Sequence, residues 1–141
     1  MTVLTLTLAR MLIDGALAEA RAQDFKPMGV VVVDAAGQVV ASAREDGASA
    51  LRLDIAVGKA AACIGMGSNS RALAVRARDL PAFFGTIAST TRQPFIPQTG
   101  AVLVTDGSGR VIGAAGASGG TGDEDEQIVI AGVAAAGLGH A

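Results

Sequence analysis

Apolar positions along this chain change period several times, and each change marks an element. Downstream of Thr7, Ile13, Ala16, Leu17 and Ala20 recur at helical spacing while Arg10, Asp14 and Arg21 fall largely elsewhere. That pattern predicts an amphipathic helix, stopped by Pro27 and Gly29. Arg10 and Asp14 are placed to pair on its surface. Val30–Val33 is a continuous β-branched run, Asp34–Gly37 has turn chemistry, and Val39–Ala43 returns as a second strand. A hairpin is predicted, with its first strand buried on both faces. The same pattern recurs from Val104 to Ala115, with Asp106 and Gly109 in the turn positions of Asp34 and Gly37, so a second hairpin is predicted there.

Helical signals lie between the hairpins. Ser49 is a candidate cap for a helix running to about Met66 and ended by Gly67, and Ser70 is a candidate cap for Arg71 to about Arg78. Pro81 opens a short turn carrying Phe83 and Phe84. Gln93–Pro97 carries two prolines, cannot be helical, and is expected to enter the sheet as an edge segment. Ser118–Gly122 reads as a loop and Asp123 to about Leu138 as a final helix. The predicted class is α+β: an antiparallel sheet with helices packed on it. No linker divides the chain, and 141 residues suit a single domain over residues 1–141.

Composition narrows the function. Half of the residues are hydrophobic and 17% are charged, which excludes a disordered chain. A net charge of −2, with no Trp, no Tyr and four Phe, offers neither a basic field nor a stacking platform, so nucleic acid is excluded as the expected partner. One cysteine cannot form an internal disulfide or a CxxC pair. No apolar run approaches the roughly 20 residues of a membrane helix, so no membrane partner is expected. The N-terminus alternates Thr and Leu without an early positive charge and does not read as a signal peptide, so a cytoplasmic location is expected. Mean hydropathy of +0.47, built largely on Ala, Val and Gly, predicts that some surface is hidden in a homo-oligomer.

Few residues carry chemistry. Leu53–Met66 is almost wholly apolar, with Asp54 and Lys59 its only charges. Lys59 is therefore either a lysine snorkelling from a buried helix or a cation set in a pocket to meet a ligand carboxylate or carbonyl. Arg44 and Asp46 follow the first hairpin, at a strand end where either a solvated turn or a site is built. Ser118–Gly122 invites an anion at the start of the last helix. Asp123–Glu126 already supplies negative charge there, Thr121 with Glu124 can form a capping box, and a phosphate is expected to be repelled. His140, the only histidine, sits in the tail; Cys63, Met28 and Met66 read as core. No Ser-His-Asp set, HExxH or zinc spacing is present.

Taken in order, Val33–Gly37, Arg44–Ala48, Lys59–Ala61, Ile112–Gly120, Asp125–Glu126 and Ala131–Gly132 resemble the GlcG/HbpS family, the haem-binding or "haem-degrading domain" family. That family also supplies the C-terminal domain of some corrinoid adenosyltransferases. The resemblance covers nearly the whole chain. It implies a profilin-like α/β sandwich with an antiparallel sheet of about five strands flanked by helices, homo-oligomers from dimers to octamers, and haem or iron as cofactor. It also implies that Arg44, Asp46, Lys59, Ser118, Gly119, Asp125 and Glu126 line a shared pocket. Ile96–Gly100 departs from the family's Gly-Gly-x-Pro stretch, and no histidine lies inside the domain. Two functions stay open. One is a cytoplasmic ligand-binding protein of the GlcG/HbpS type, taking haem, a related tetrapyrrole or iron. The other is a small-molecule enzyme, a hydrolase, lyase or isomerase acting on a carboxylate or cyclic metabolite. There Arg44 or Lys59 holds the negative group and Glu126 or Asp46 moves the proton.

Overall fold

The computed structural model describes residues 3–141; the first two residues of the Thr/Leu-alternating stretch lie outside it. The first helix, α1, spans Leu6–Ala22, with the Thr5 hydroxyl accepting from the Leu8 N–H at 3.1 Å. β1 (Gly29–Asp34) and β2 (Val39–Arg44) form the first hairpin. Its turn is held by the Asp34 carboxylate, which accepts from the N–H groups of Ala36 and Gln38, and by Gly37 at φ 80°. Three helices follow: α2 (Arg52–Met66), α3 (Ser70–Asp79) and α4 (Pro81–Thr90). β3 (Ala101–Thr105) and β4 (Val111–Ser118) form the second hairpin, and α5 (Gly122–Ala135) and the short β5 (Gly139–His140) complete the chain.

The five strands form one antiparallel sheet in the order β2-β1-β4-β3-β5, so the predicted α+β architecture holds. Strand alternation splits the core. Val30, Val32, Val102, Val104, Ala115 and Ala117 pack toward α1 and α5, while Val31, Val33, Ala101, Leu103 and Ala114 pack toward α2. β1 is buried on both faces, as its unbroken valine run requires. On the first face α1 and α5 touch through their backbones. A side chain at Gly132 would collide with the Leu12 carbonyl, and one at Gly15 would meet Ala135. No helix among the described residues is long and apolar enough to cross a membrane.

Five local expectations are corrected. Ser49 does not cap α2, which starts after Leu51 without a side-chain cap. Ser70 does not cap α3; Asn69 holds that position, and both side chains instead serve β3. Ser70 Oγ accepts from the N–H groups of Gly100 and Ala101, and Asn69 Oδ1 accepts from Leu103. These buried strand donors have no neighbouring strand, and satisfying them takes precedence over capping a helix. Gln93–Pro97 is accordingly not the sheet edge. It is an irregular crossing over α2, pinned by the Ile96 N–H to the Gly58 carbonyl at 3.1 Å, where a side chain at position 58 would overlap Ile96. Pro81 opens a full helix of 10 residues rather than a short turn, and α5 ends at Ala135, short of Leu138.

Candidate functional site

The start of α2 and the start of α5 meet at one end of the sheet. α2 presents Arg52, Ile55 and Lys59 at i, i+3 and i+7, one face of a helix. α5 is preceded by β4 and the Ser118–Thr121 turn, which directs its first turn back toward α2. Between them lies a depression of about 500 Å³, lined by those three residues together with Ile96, Ser118, Thr121, Gly122, Asp123 and Asp125 among others.

Its floor is a buried ion pair. Lys59 Nζ lies 3.0 Å from Asp125 Oδ2, and the two residues are 5% and 2% exposed. Lys59 also donates to the Ala117 carbonyl at 3.0 Å, and Asp125 Oδ1 accepts from the Gly120 N–H at 3.0 Å. Desolvating two charges is costly, and only this density of bonds offsets it. An ammonium has three N–H donors, so one is left for the depression it borders. Gly100, at φ 139°, lies directly against Nζ, and a side chain there would displace it. Lys59 is thus not snorkelling; it is a cation set into a pocket.

Arg52 supplies the second cation. Its guanidinium donates to Ser118 Oγ at 3.2 Å and has no carboxylate partner among the described residues. The acidic run Asp123–Glu126 is consumed locally. Arg71 takes both Asp123 and Glu126, Glu124 closes the capping box with Thr121, and Asp125 faces Lys59. Each of these four carboxylates therefore has a partner. Gly122 and Asp123 open α5, and the first backbone N–H groups of a helix have no partner inside it. The arrangement suits one chemistry: a small anionic group, held by Arg52, the spare Lys59 N–H and the start of α5.

Sequence comparison agrees on nearly the full length, since residues 4–134 match the family described as "Haem degrading protein HbpS-like". The chain belongs to that family. Among solved structures, a Streptomyces reticuli HbpS double mutant is 29% identical over 95% of this chain and 87% of that one, with a TM-score of 0.82. A PduOC–haem complex is 23% identical over 98% of both chains, with a TM-score of 0.85. A Klebsiella pneumoniae protein, ORFY, is 22% identical over 94% of this chain and 90% of that one, with a TM-score of 0.83. At the latter two identities the likeness shows the fold alone. No curated protein matches the chain.

Of the residues singled out in the sequence of this HbpS-like chain, Lys59, Asp125 and Ser118 come together at the depression. Gly119 serves packing: a side chain there would collide with the Pro27 carbonyl. Glu126 points away, because one step along a helix turns a side chain by about 100°. Asp125 meets Lys59, and Glu126 turns to Arg71 on α3. Of the two acids expected to share the pocket with Lys59, Asp125 does so and Glu126 does not. Arg44 and Asp46 border a different depression with Arg21, Pro27 and Glu45, and the Arg44 guanidinium donates to the Ala48 carbonyl at 2.7 Å. Arg52 was missed as a site residue. Its signal was present, seven positions before Lys59 on the same stripe, but a charge at the start of a helix looks like ordinary solvation.

An iron centre fits these residues poorly. Among the described residues, no His, Cys, Met or Tyr lines the depression and no group of three metal-ligating side chains occurs. His140 lies on β5, opposite Val104, away from the Ala101 end of β3 where Lys59 sits. Cys63 is buried under the sheet, and burial pushes its thiol from 9.0 up to about 12, so it is a neutral thiol rather than a thiolate ligand at neutral pH.

Proposed function

We propose that the chain is a small-ligand-binding protein of the HbpS type whose ligand presents a carboxylate to Arg52 and Lys59. The observation that carries this reading is the half-buried Arg52 guanidinium, without an acidic partner among the described residues, bordering a depression whose other cation is locked in place by Asp125. Haem and related tetrapyrroles fall in this class through their propionates, whereas free iron finds no donor set at the depression. The reading takes residues 1–141 as one HbpS-like domain and its protein as a cytoplasmic homo-oligomer; the single buried thiol and the apolar, Ala/Gly/Val-rich composition support this.

Haem titration followed at the Soret band, on wild type and Arg52→Ala, tests the ligand class. A saturable change in wild type that weakens at least tenfold in Arg52→Ala puts a propionate on Arg52. A change of equal strength in both removes the depression as the haem site. Native mass spectrometry of the purified protein then reads any other bound carboxylate.

One observation favours the enzyme reading, a hydrolase, lyase or isomerase acting on a carboxylate or cyclic metabolite. Lys59 lines the depression beside Asp125, so a charged donor and a carboxylate both border the space a substrate would occupy, as general acid–base work requires. Turnover that is lost in Lys59→Met while Arg52→Lys retains it supports catalysis over binding alone.

A further inference from the structure

We propose that the carboxylate received by Arg52 belongs to a hydroxyl-rich acid of single charge, a sugar acid of the uronate or aldonate kind. The inference rests on the carboxylate reading above and adds what the remainder of the ligand must be.

Charge sets the first limit. Arg52 and Lys59 are the cations that line the depression among the described residues. Lys59 is matched by Asp125, and Asp123 is matched by Arg71, which Glu126 also shares. One positive charge, that of Arg52, is left for a ligand. The two cationic heads bond consecutive residues of β4, Arg52 to Ser118 Oγ and Lys59 to the Ala117 carbonyl, a spacing that suits one carboxylate. A second ligand carboxylate would find no further cation there and would share the depression with Asp123.

The polar lining sets the second limit. Ser118 Oγ and Thr121 Oγ1 already accept, from Arg52 and from the Glu124 N–H, so the proton of each hydroxyl remains to be donated. The side chains of Gln98 and Thr99, on the same rim, make no hydrogen bond to any described residue. Ile55 and Ile96 are the only apolar side chains of the lining among the described residues. Pockets for largely apolar ligands are lined predominantly by apolar and aromatic groups, and this one is not. Two isoleucines instead offer a surface for one C–H face of a sugar ring.

Size and order complete the case. A depression of about 500 Å³ has room for roughly 16 waters at about 30 Å³ each, far more than a carboxylate alone displaces. A ligand that takes the remaining space without returning hydrogen bonds to these side chains loses affinity, whereas hydroxyls both donate and accept. The wall that carries Ile96, Gln98 and Thr99 is also held in place. The Ile96 N–H donates to the Gly58 carbonyl on α2, and Thr99 packs on Gly122 of α5, where an added side chain would stand 3.0 Å from its Cβ. A wall fixed to both helices is preorganised for its ligand.

Isothermal titration calorimetry on the full chain uses D-glucuronate, D-galacturonate and D-gluconate as sugar acids. Hexanoate, glucose and glucarate are the controls that lack hydroxyls, lack charge or carry a second charge. At least one sugar acid is expected to bind wild type at least tenfold tighter than each control. Gln98→Leu with Thr99→Val, checked for native far-UV circular dichroism, is expected to weaken that acid at least tenfold and to leave hexanoate unchanged. Gln98→Leu alone, at an exposed position, gives the same reading should the pair misfold. Hexanoate or glucarate binding as tightly as every sugar acid, or a folded variant of undiminished affinity, would overturn the inference and leave the carboxylate reading standing. No binding by any of these acids overturns it too, and the haem titration on Arg52→Ala then decides the carboxylate reading separately. Glucose matching the sugar acids would overturn both.

Discussion

α2 and α5 each have a wet end and a dry body. Their N-terminal halves face each other across the end of the sheet, where Arg52, Lys59 and Asp125 border a depression. Their later turns are dry: Ala56, Ala60 and Cys63 lie against Val31, Val33 and Leu103, and Ile128, Val129 and Val133 lie against α1 and the opposite sheet face. The dry bodies gain stability from buried apolar area and from glycines that let backbones touch. The wet ends gain little net stability, because a buried ion pair is roughly offset by its desolvation. A fold keeps such a pair for what it positions.

The largest expected effect comes from breaking the wet end on one side only. Asp125→Ala leaves Lys59 buried without its carboxylate and costs about 3–5 kcal/mol in urea unfolding. Lys59→Met with Asp125→Leu removes both charges and is expected to restore most of that loss while abolishing ligand binding. Equal losses in the single and double variants contradict the pair's role.

A pH scan tests the dry body of α2. The Cys63 thiol titrates at about 12 in the folded chain against 9.0 for an ordinary thiol, because burial disfavours the thiolate. Between those values the unfolded chain loses a proton that the folded chain keeps. The stability this thiol contributes is therefore fully present below pH 9 and is lost as pH rises toward 12. Cys63→Ala should flatten that limb of the stability curve, and Ellman's reagent should label the thiol only after unfolding.

Gly132→Ala probes the dry contact of α5 with α1. The added methyl meets the Leu12 carbonyl, and the expected cost is about 1–3 kcal/mol with ligand binding unchanged. The smallest effect belongs to Arg71→Ala. Its pairs with Asp123 and Glu126 are solvent-exposed, so stability should shift by less than about 1 kcal/mol. Ligand affinity should fall more than stability, since Asp123, which lines the depression, is then left unpaired.

Legibility in the sequence follows the same division. The dry parts announced themselves: the valine run of β1, the two Asp-x-x-Gly turns and the period of α1 state the sheet and helices, because burial forces a pattern on every second or fourth residue. The wet end is written in single residues whose meaning depends on chain-distant partners. Lys59 stood out because its helix is otherwise apolar. Its partner could not be chosen between Asp125 and Glu126, since that depends on how α5 is rotated against the sheet. Ser70 and Gln93–Pro97 were misplaced for a related reason. Which segment satisfies the open side of β3 is a competition between distant elements, and local propensity does not enter it.

The central claim is that the depression between the two wet ends recognises a carboxylate through Arg52. Thermal unfolding of wild type and Arg52→Ala against a panel of carboxylates, haem included, tests it directly, because a ligand that binds only the folded state raises the midpoint with concentration. A concentration-dependent rise is expected in wild type with at least one carboxylate, and none with that compound in Arg52→Ala. Equal rises in both proteins, or no rise in wild type with any carboxylate, would contradict it.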